Sequence, residues 1–141
     1  MTSAQWLVIA VLGHVLLTAV VGVLTLRARI AAVKAGKARL QVVALNNAGW
    51  PEEARKLANN FDNQFQVPVL VYVVSTLFVA TGLADMNAAG LAFAFLAARV
   101  LHTFEHTGRN TVLKRLTYFL ASYAFALAMW VWFAIRFLMA G

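Results

Sequence analysis

The stretch Arg99-Val-Leu-His102-Thr-Phe-Glu105-His106-Thr-Gly108-Arg109-Asn110-Thr-Val-Leu-Lys114-Arg115 decides how this chain is read. It begins inside a segment otherwise apolar enough to cross a bilayer. A charged side chain at the bilayer centre costs about 2.5–3.5 kcal/mol on insertion scales. Arg99, Glu105 and two of the three histidines in one short run therefore need a wet cavity, mutual pairing or the membrane interface. Two readings stand side by side: a polar site within the membrane, or a helix end whose side chains snorkel to water. Arg99, His102 and His106 follow i, i+3, i+7 and share a helical face, with Glu105 about a third of a turn away. Gly108 is the expected end of that helix.

The composition agrees with a membrane setting. Of the 141 residues 62% are apolar and 12% are charged, against about 25% charged in ordinary soluble domains. The absence of cysteine excludes disulfides, thiolate metal sites and a cysteine nucleophile. A net charge of +7 invites a nucleic-acid reading. However, most of the basic residues fall between hydrophobic segments, which is the signature of membrane topology, and no nucleic-acid partner is expected.

Four spans are expected outward from the central stretch. The third runs from Ala88 to Thr107 and the fourth from Leu116 to Leu138, whose Trp130 and Trp132 suit the outer interfacial belt, with Arg136 snorkelling beside them. The first covers Gln5 to Leu26, about 33 Å as a helix, and carries His14 near its middle as a helix-packing histidine. The second runs from Phe61 to Leu83, its helix starting near Pro51 with Glu52 and Glu53 at the positive end of the dipole. Asn59, Asp62, Asn63 and Gln66 fall on one face of its first turns, Asn59 expected at the solvated helix end and Asn63 and Gln66 in an interior polar contact. Pro68 cannot bond back to the Gln64 carbonyl and should bend it there. Arg27 to Asn60 and residues 108–115 carry the positive charge, so both connections are expected in the cytoplasm and both termini outside it. The expected fold is one all-α integral membrane domain over residues 1–141, a four-transmembrane-helix bundle.

Both polar clusters, Asn59–Gln66 and Arg99–Arg115, lie at the same ends of their helices and could meet in one pocket. Such a pocket offers positive charge and hydrogen-bond donors beside apolar walls open to lipid, suited to a small anionic cosubstrate next to a lipophilic one. His102 and His106 at i, i+4 could also hold a metal, but the spacing alone is a weak signal and no metal site is assigned.

Two stretches carry a resemblance to a known family: Asn63-Gln-Phe-Gln66-Val-Pro68-Val-Leu-Val-Tyr72, and Arg99 to Asn110 followed by Arg115. They resemble the MAPEG family, the membrane-associated proteins of eicosanoid and glutathione metabolism, and most of all its bacterial members of unassigned activity. With the four-span pattern the likeness covers nearly the whole chain. It implies a homotrimer in a bacterial inner membrane, with glutathione held between subunits near the cytoplasmic side and a lipophilic substrate arriving from the bilayer. By position, Arg115 resembles the arginine that stabilises the thiolate. Asn63, Arg99 and His102 match further site residues, Gln66 and His106 stand at site positions, and Arg27 resembles the basic residue ending the first helix, with Arg29 competing for that role.

The departures are specific. Gln66 stands where glutathione-using members have glutamate, expected to hold the tripeptide's amine, and an amide gives up the charge-assisted part of that bond. Asn59 and Asp62 stand where some members have arginines, while His106 and Phe119 replace tyrosines. Three functions are therefore carried forward. One is a glutathione-dependent transferase or peroxidase acting on a lipophilic electrophile. Another is a non-catalytic lipid-binding or scaffold protein that has lost the tripeptide site. The third is a small transporter or proton relay using His14, His102, Glu105 and His106.

Overall fold

The computed structural model describes residues 1–44 and 46–140. The first helix, α1, runs from Ser3 to Lys34 and starts on a capping box, in which Thr2 and Gln5 each accept from the other's backbone N–H. It outruns the expected span of Gln5 to Leu26 by eight residues, so much of what read as the start of the polar connection is helix. The cause is local. Arg27-Ala28-Arg29-Ile30-Ala31-Ala32 contains good helix formers, and the helix is stopped only near Gly36, which takes a left-handed φ of +68°. The connection then forms a short helix, α2 (Leu40–Val43), and a 3-10 turn at Asn47–Gly49. A small apolar cluster of Ala32, Ala38 and Val43, with Val33 and Trp50 against it, fastens it to the end of α1. The Arg29 guanidinium lies 5.1 Å over the Trp50 ring.

The second crossing is two helices. α3 (Glu52–Asn63) and α4 (Val67–Ala80) are separated by a break at residues 64–66. Pro68 was expected to bend a continuous helix. It ends up in the first turn of a new one, where its missing N–H costs nothing. The third and fourth crossings are α5 (Met86–Thr107) and α6 (Val112–Met139), with Gly108 directly after α5 as expected. α5 packs against both α1 and α6, α4 closes the ring between α6 and α1, and α3 lies over α1 and α5.

This arrangement follows from side-chain size. The inward face of α5 carries Ala88, Ala89, Ala92 and Ala98, all buried, so neighbouring backbones come close. Opposite it, a Cβ on Gly13 would stand 2.7 Å from Leu96 Cδ2, so only glycine fits that crossing without moving the leucine. Leu7, Val71, Val74, Phe78, Phe95 and Met129 fill the interior, while Leu12, Leu16, Val23, Leu120 and Val131 are exposed on the outer faces, as lipid contact requires. All four crossings are long and apolar enough to span a bilayer.

The two ends of the bundle differ in charge. Apart from Arg136 and the interior Arg99, every Lys and Arg lies towards the end where α1 and α5 finish and α3 and α6 start. At the other end Asp85 caps α5 by accepting from Ala88 N at 2.9 Å. It also accepts from Trp132 Nε1 at 3.1 Å and pairs with Arg136 at 3.4 Å. Arg136, expected to snorkel at the interface, is thus also held by a carboxylate. Trp130 reaches across to α4 and donates to the Leu70 carbonyl at 3.1 Å, so it ties two helices together in addition to any belt role. Asp85→Ala removes the cap, the indole acceptor and the ion pair together. It should lower stability by about 1–2 kcal/mol, read as a lower thermal midpoint of the detergent-solubilised protein.

Candidate functional site

The break between α3 and α4 builds the site. Where the helix stops, the Asn63 carbonyl loses its helical partner, and a buried backbone acceptor in a membrane must find another donor. Arg99 supplies it: Nη2 donates to Asn63 O at 2.8 Å and to Gln64 Oε1 at 3.2 Å. Arg99 is fully buried, about 12 Å along α5 from its C-terminal end at 1.5 Å per residue. It has no carboxylate partner among the described residues, and its Nε and Nη1 are buried without acceptors. Of the two readings of the central stretch, Arg99 takes the interior one, held by carbonyl and amide dipoles.

A network of amide, hydroxyl and imidazole groups extends from this contact. Gln64 Nε2 donates to Asn60 Oδ1 at 3.0 Å and to Thr103 Oγ1 at 3.2 Å. The amides of Asn60 and Asn63 lie 3.3 and 3.5 Å from His106 Nδ1, and the rings of His102 and His106 meet edge to face at 5.3 Å. Deeper in the bundle His14 Nδ1 lies 2.6 Å from the Tyr72 hydroxyl, the packing role expected of it. His102 and His106 are joined by no third histidine or carboxylate suited to a metal among the described residues.

Above this network a pocket of about 500 Å³ opens between α3, α5 and α6. Asn59, Asp62, Asn63 and Gln66 form one wall and His102 and His106 the floor side, with Arg115 facing them beside the apolar Val112, Leu116 and Phe119. The two polar clusters do meet. Five of the expected site residues, Asn63, Gln66, His102, His106 and Arg115, line this pocket, and Arg99 braces its wall from beneath. Arg27 does not line it. That side chain is exposed on α1, and Arg29 is engaged by Trp50.

Arg115 is positioned by the turn before α6. Glu105 accepts from Thr111 N at 2.9 Å, and its own carbonyl accepts from Asn110 N at 2.7 Å. This holds Asn110 in the left-handed region, φ 55°, which asparagine tolerates better than most residues. Its Oδ1 then accepts from Arg115 Nη1 at 2.9 Å. Glu105 therefore serves to shape the turn. Gln66 was expected to make an interior contact, yet its side chain is exposed and makes no hydrogen bond among the described residues, because the break turns it outward. Asn60 and Gln64 take the interior positions instead. Their signal was available, two amides at i, i+4 where the helix enters the membrane, but the face carrying Asn59, Asp62, Asn63 and Gln66 drew the reading away from them.

Residues 3–135 match the MAPEG family. The chain belongs to it. No curated protein and no solved structure matches the chain. In this chain a buried arginine holds a broken helix, and a polar pocket opens at the break. Gln64→Leu should lower stability by about 2–3 kcal/mol, because it removes an acceptor from a buried cation and orphans Asn60 and Thr103. Chemical denaturation in detergent reads this, and a change within 0.5 kcal/mol would show that the network carries little.

Proposed function

We propose that this MAPEG protein is a glutathione-dependent transferase or peroxidase, with the pocket between α3, α5 and α6 as its thiol site. One observation carries the reading: a single opening brings Arg115 and five amide or imidazole side chains together with the apolar Val112, Leu116 and Phe119. Its volume of about 500 Å³ lies within the roughly 300–1,000 Å³ of small-molecule sites. Arg115 is half-buried and fixed through Asn110, with the rest of its guanidinium free for an anion. The donors present suit a peptide bearing carboxylates and a thiol.

The bound thiol supplies a sulfur nucleophile. The chain's part is electrostatic. A guanidinium held in place favours the thiolate over the thiol, and each tenfold gain in thiolate population needs about 1.4 kcal/mol of preferential stabilisation. Asn63 orients the peptide while its own carbonyl is held by Arg99. Val112 and Leu116, exposed at the pocket's edge, give a lipophilic electrophile a path from the bilayer. Assembly as a homotrimer would bring a neighbour's Arg27 towards this pocket, the role expected for the end of the first helix.

A second reading has its own support. Gln66 and Asp62 put an amide and a carboxylate in the wall where an anion site gains from cations, as in a lipid-binding or scaffold protein that has given up the tripeptide. Calorimetric titration with reduced glutathione separates the two. Saturable binding, lost at least tenfold in Arg115→Ala with glutathione-dependent conjugation, supports the enzyme. Unchanged turnover in that variant overturns it.

The basic end, with connections 35–51 and 108–111, is proposed to face the cytoplasm and both termini the opposite side, by the charge bias. The chain has no cysteine, so Ser3→Cys and Lys37→Cys give clean single labels. An impermeant thiol reagent added to intact bacterial cells should label only the former.

A further inference from the structure

We propose that Asp62 selects the ligand of this pocket: its carboxylate takes the ammonium group of a zwitterionic peptide whose anionic part lies at Arg115. This rests on the reading above, that the pocket holds a thiol peptide. Asp62 is the only carboxylate among the lining residues, and Arg115 the only guanidinium. They stand on different helices, α3 and α6. The Asp62 carboxylate makes no hydrogen bond or ion pair among the described residues, although its helix begins with a satisfied acid, Glu52, paired with Lys56 at 2.7 Å. The rest of the polar lining is amide and imidazole.

The charge pattern discriminates between ligand classes. A site shaped for a purely anionic ligand loses affinity from a carboxylate in its wall. A zwitterion satisfies the charges on both sides of this pocket and leaves neither unmatched. Gln66, adjacent on the same wall, offers an amide that gives no charge assistance to an ammonium group. Asp62, on the same wall, supplies that charge. Asp62 is exposed, so the interaction is that of a solvated ion pair, worth a modest factor in affinity and more in selectivity.

The experiment compares two ligands by calorimetry on the detergent-solubilised full chain: glutathione, and its analogue with hydrogen in place of the glutamyl α-amine. The wild type should bind glutathione about fivefold more tightly than the analogue. Asp62→Asn should bind both alike, with affinity for the analogue equal to or above that of the wild type, while Asp62→Glu keeps the preference. Equal binding of the two ligands by the wild type overturns this inference and leaves the thiol site standing. A preference that persists in Asp62→Asn, checked as folded by its elution profile, overturns it as well. No saturable binding of either peptide by the wild type overturns both the inference and the thiol-site reading.

Discussion

A guanidinium that cannot leave the interior organises this protein. Arg99 is fully buried in the third crossing with no carboxylate beside it. Its charge is tolerated because a broken helix points a carbonyl and an amide oxygen at it. Each defect offsets the other. An unbroken second crossing would leave the arginine without acceptors, and a neutral residue at position 99 would leave the Asn63 carbonyl without a donor in a medium that supplies none. The break also turns Gln66 outward and lets α3 stand away from α6, which is the space the pocket occupies.

The site grows outward from that contact in layers of decreasing burial. Gln64, Asn60 and Thr103 surround the arginine and are neutral, as a low-dielectric interior favours. His106 joins them to the pocket through two amides. The groups with formal charge available to a ligand, Asp62 and Arg115, lie at the opening, where water screens them and where they can exchange partners. Arg115 owes its place to a chain of local bonds through Glu105 and Asn110. Glu105 is the acid that stood out in the sequence, yet it acts on the turn and not on the pocket.

Much of this was legible in the residues. The four crossings, the helix stop at Gly108, the packing role of His14 and the meeting of the two polar clusters all follow from hydropathy, glycine placement and helical phase. Those signals are local, so a window of a few turns suffices to read them. The misreadings have two causes. The extra turns of α1 lie past Leu26 because residues 27–34 favour helix whatever their charge, and positive-inside reasoning locates charge, not helix ends. Gln66 was placed inward by carrying the helical phase of Asn59, Asp62 and Asn63 on through residues 64–66. The break resets that phase, and Asn60 and Gln64, one position over, became the interior pair.

The sequence by itself determined a four-crossing membrane bundle with one basic end and the polar residues from which a site is made, because burial in lipid leaves apolar length and charge placement few alternatives. Only the tertiary structure decided which polar groups support the fold and which remain for a ligand. Arg99, Gln64 and Asn60 spend their hydrogen bonds on one another across two helices, while Asp62, Gln66 and most of the Arg115 guanidinium stay free. That division depends on distances between residues some 35 to 50 positions apart, such as Asn60 and His106, separated by 46. No periodicity within a single helix encodes such distances, because they are set by the break in the second crossing and the alanine face that draws the helices together.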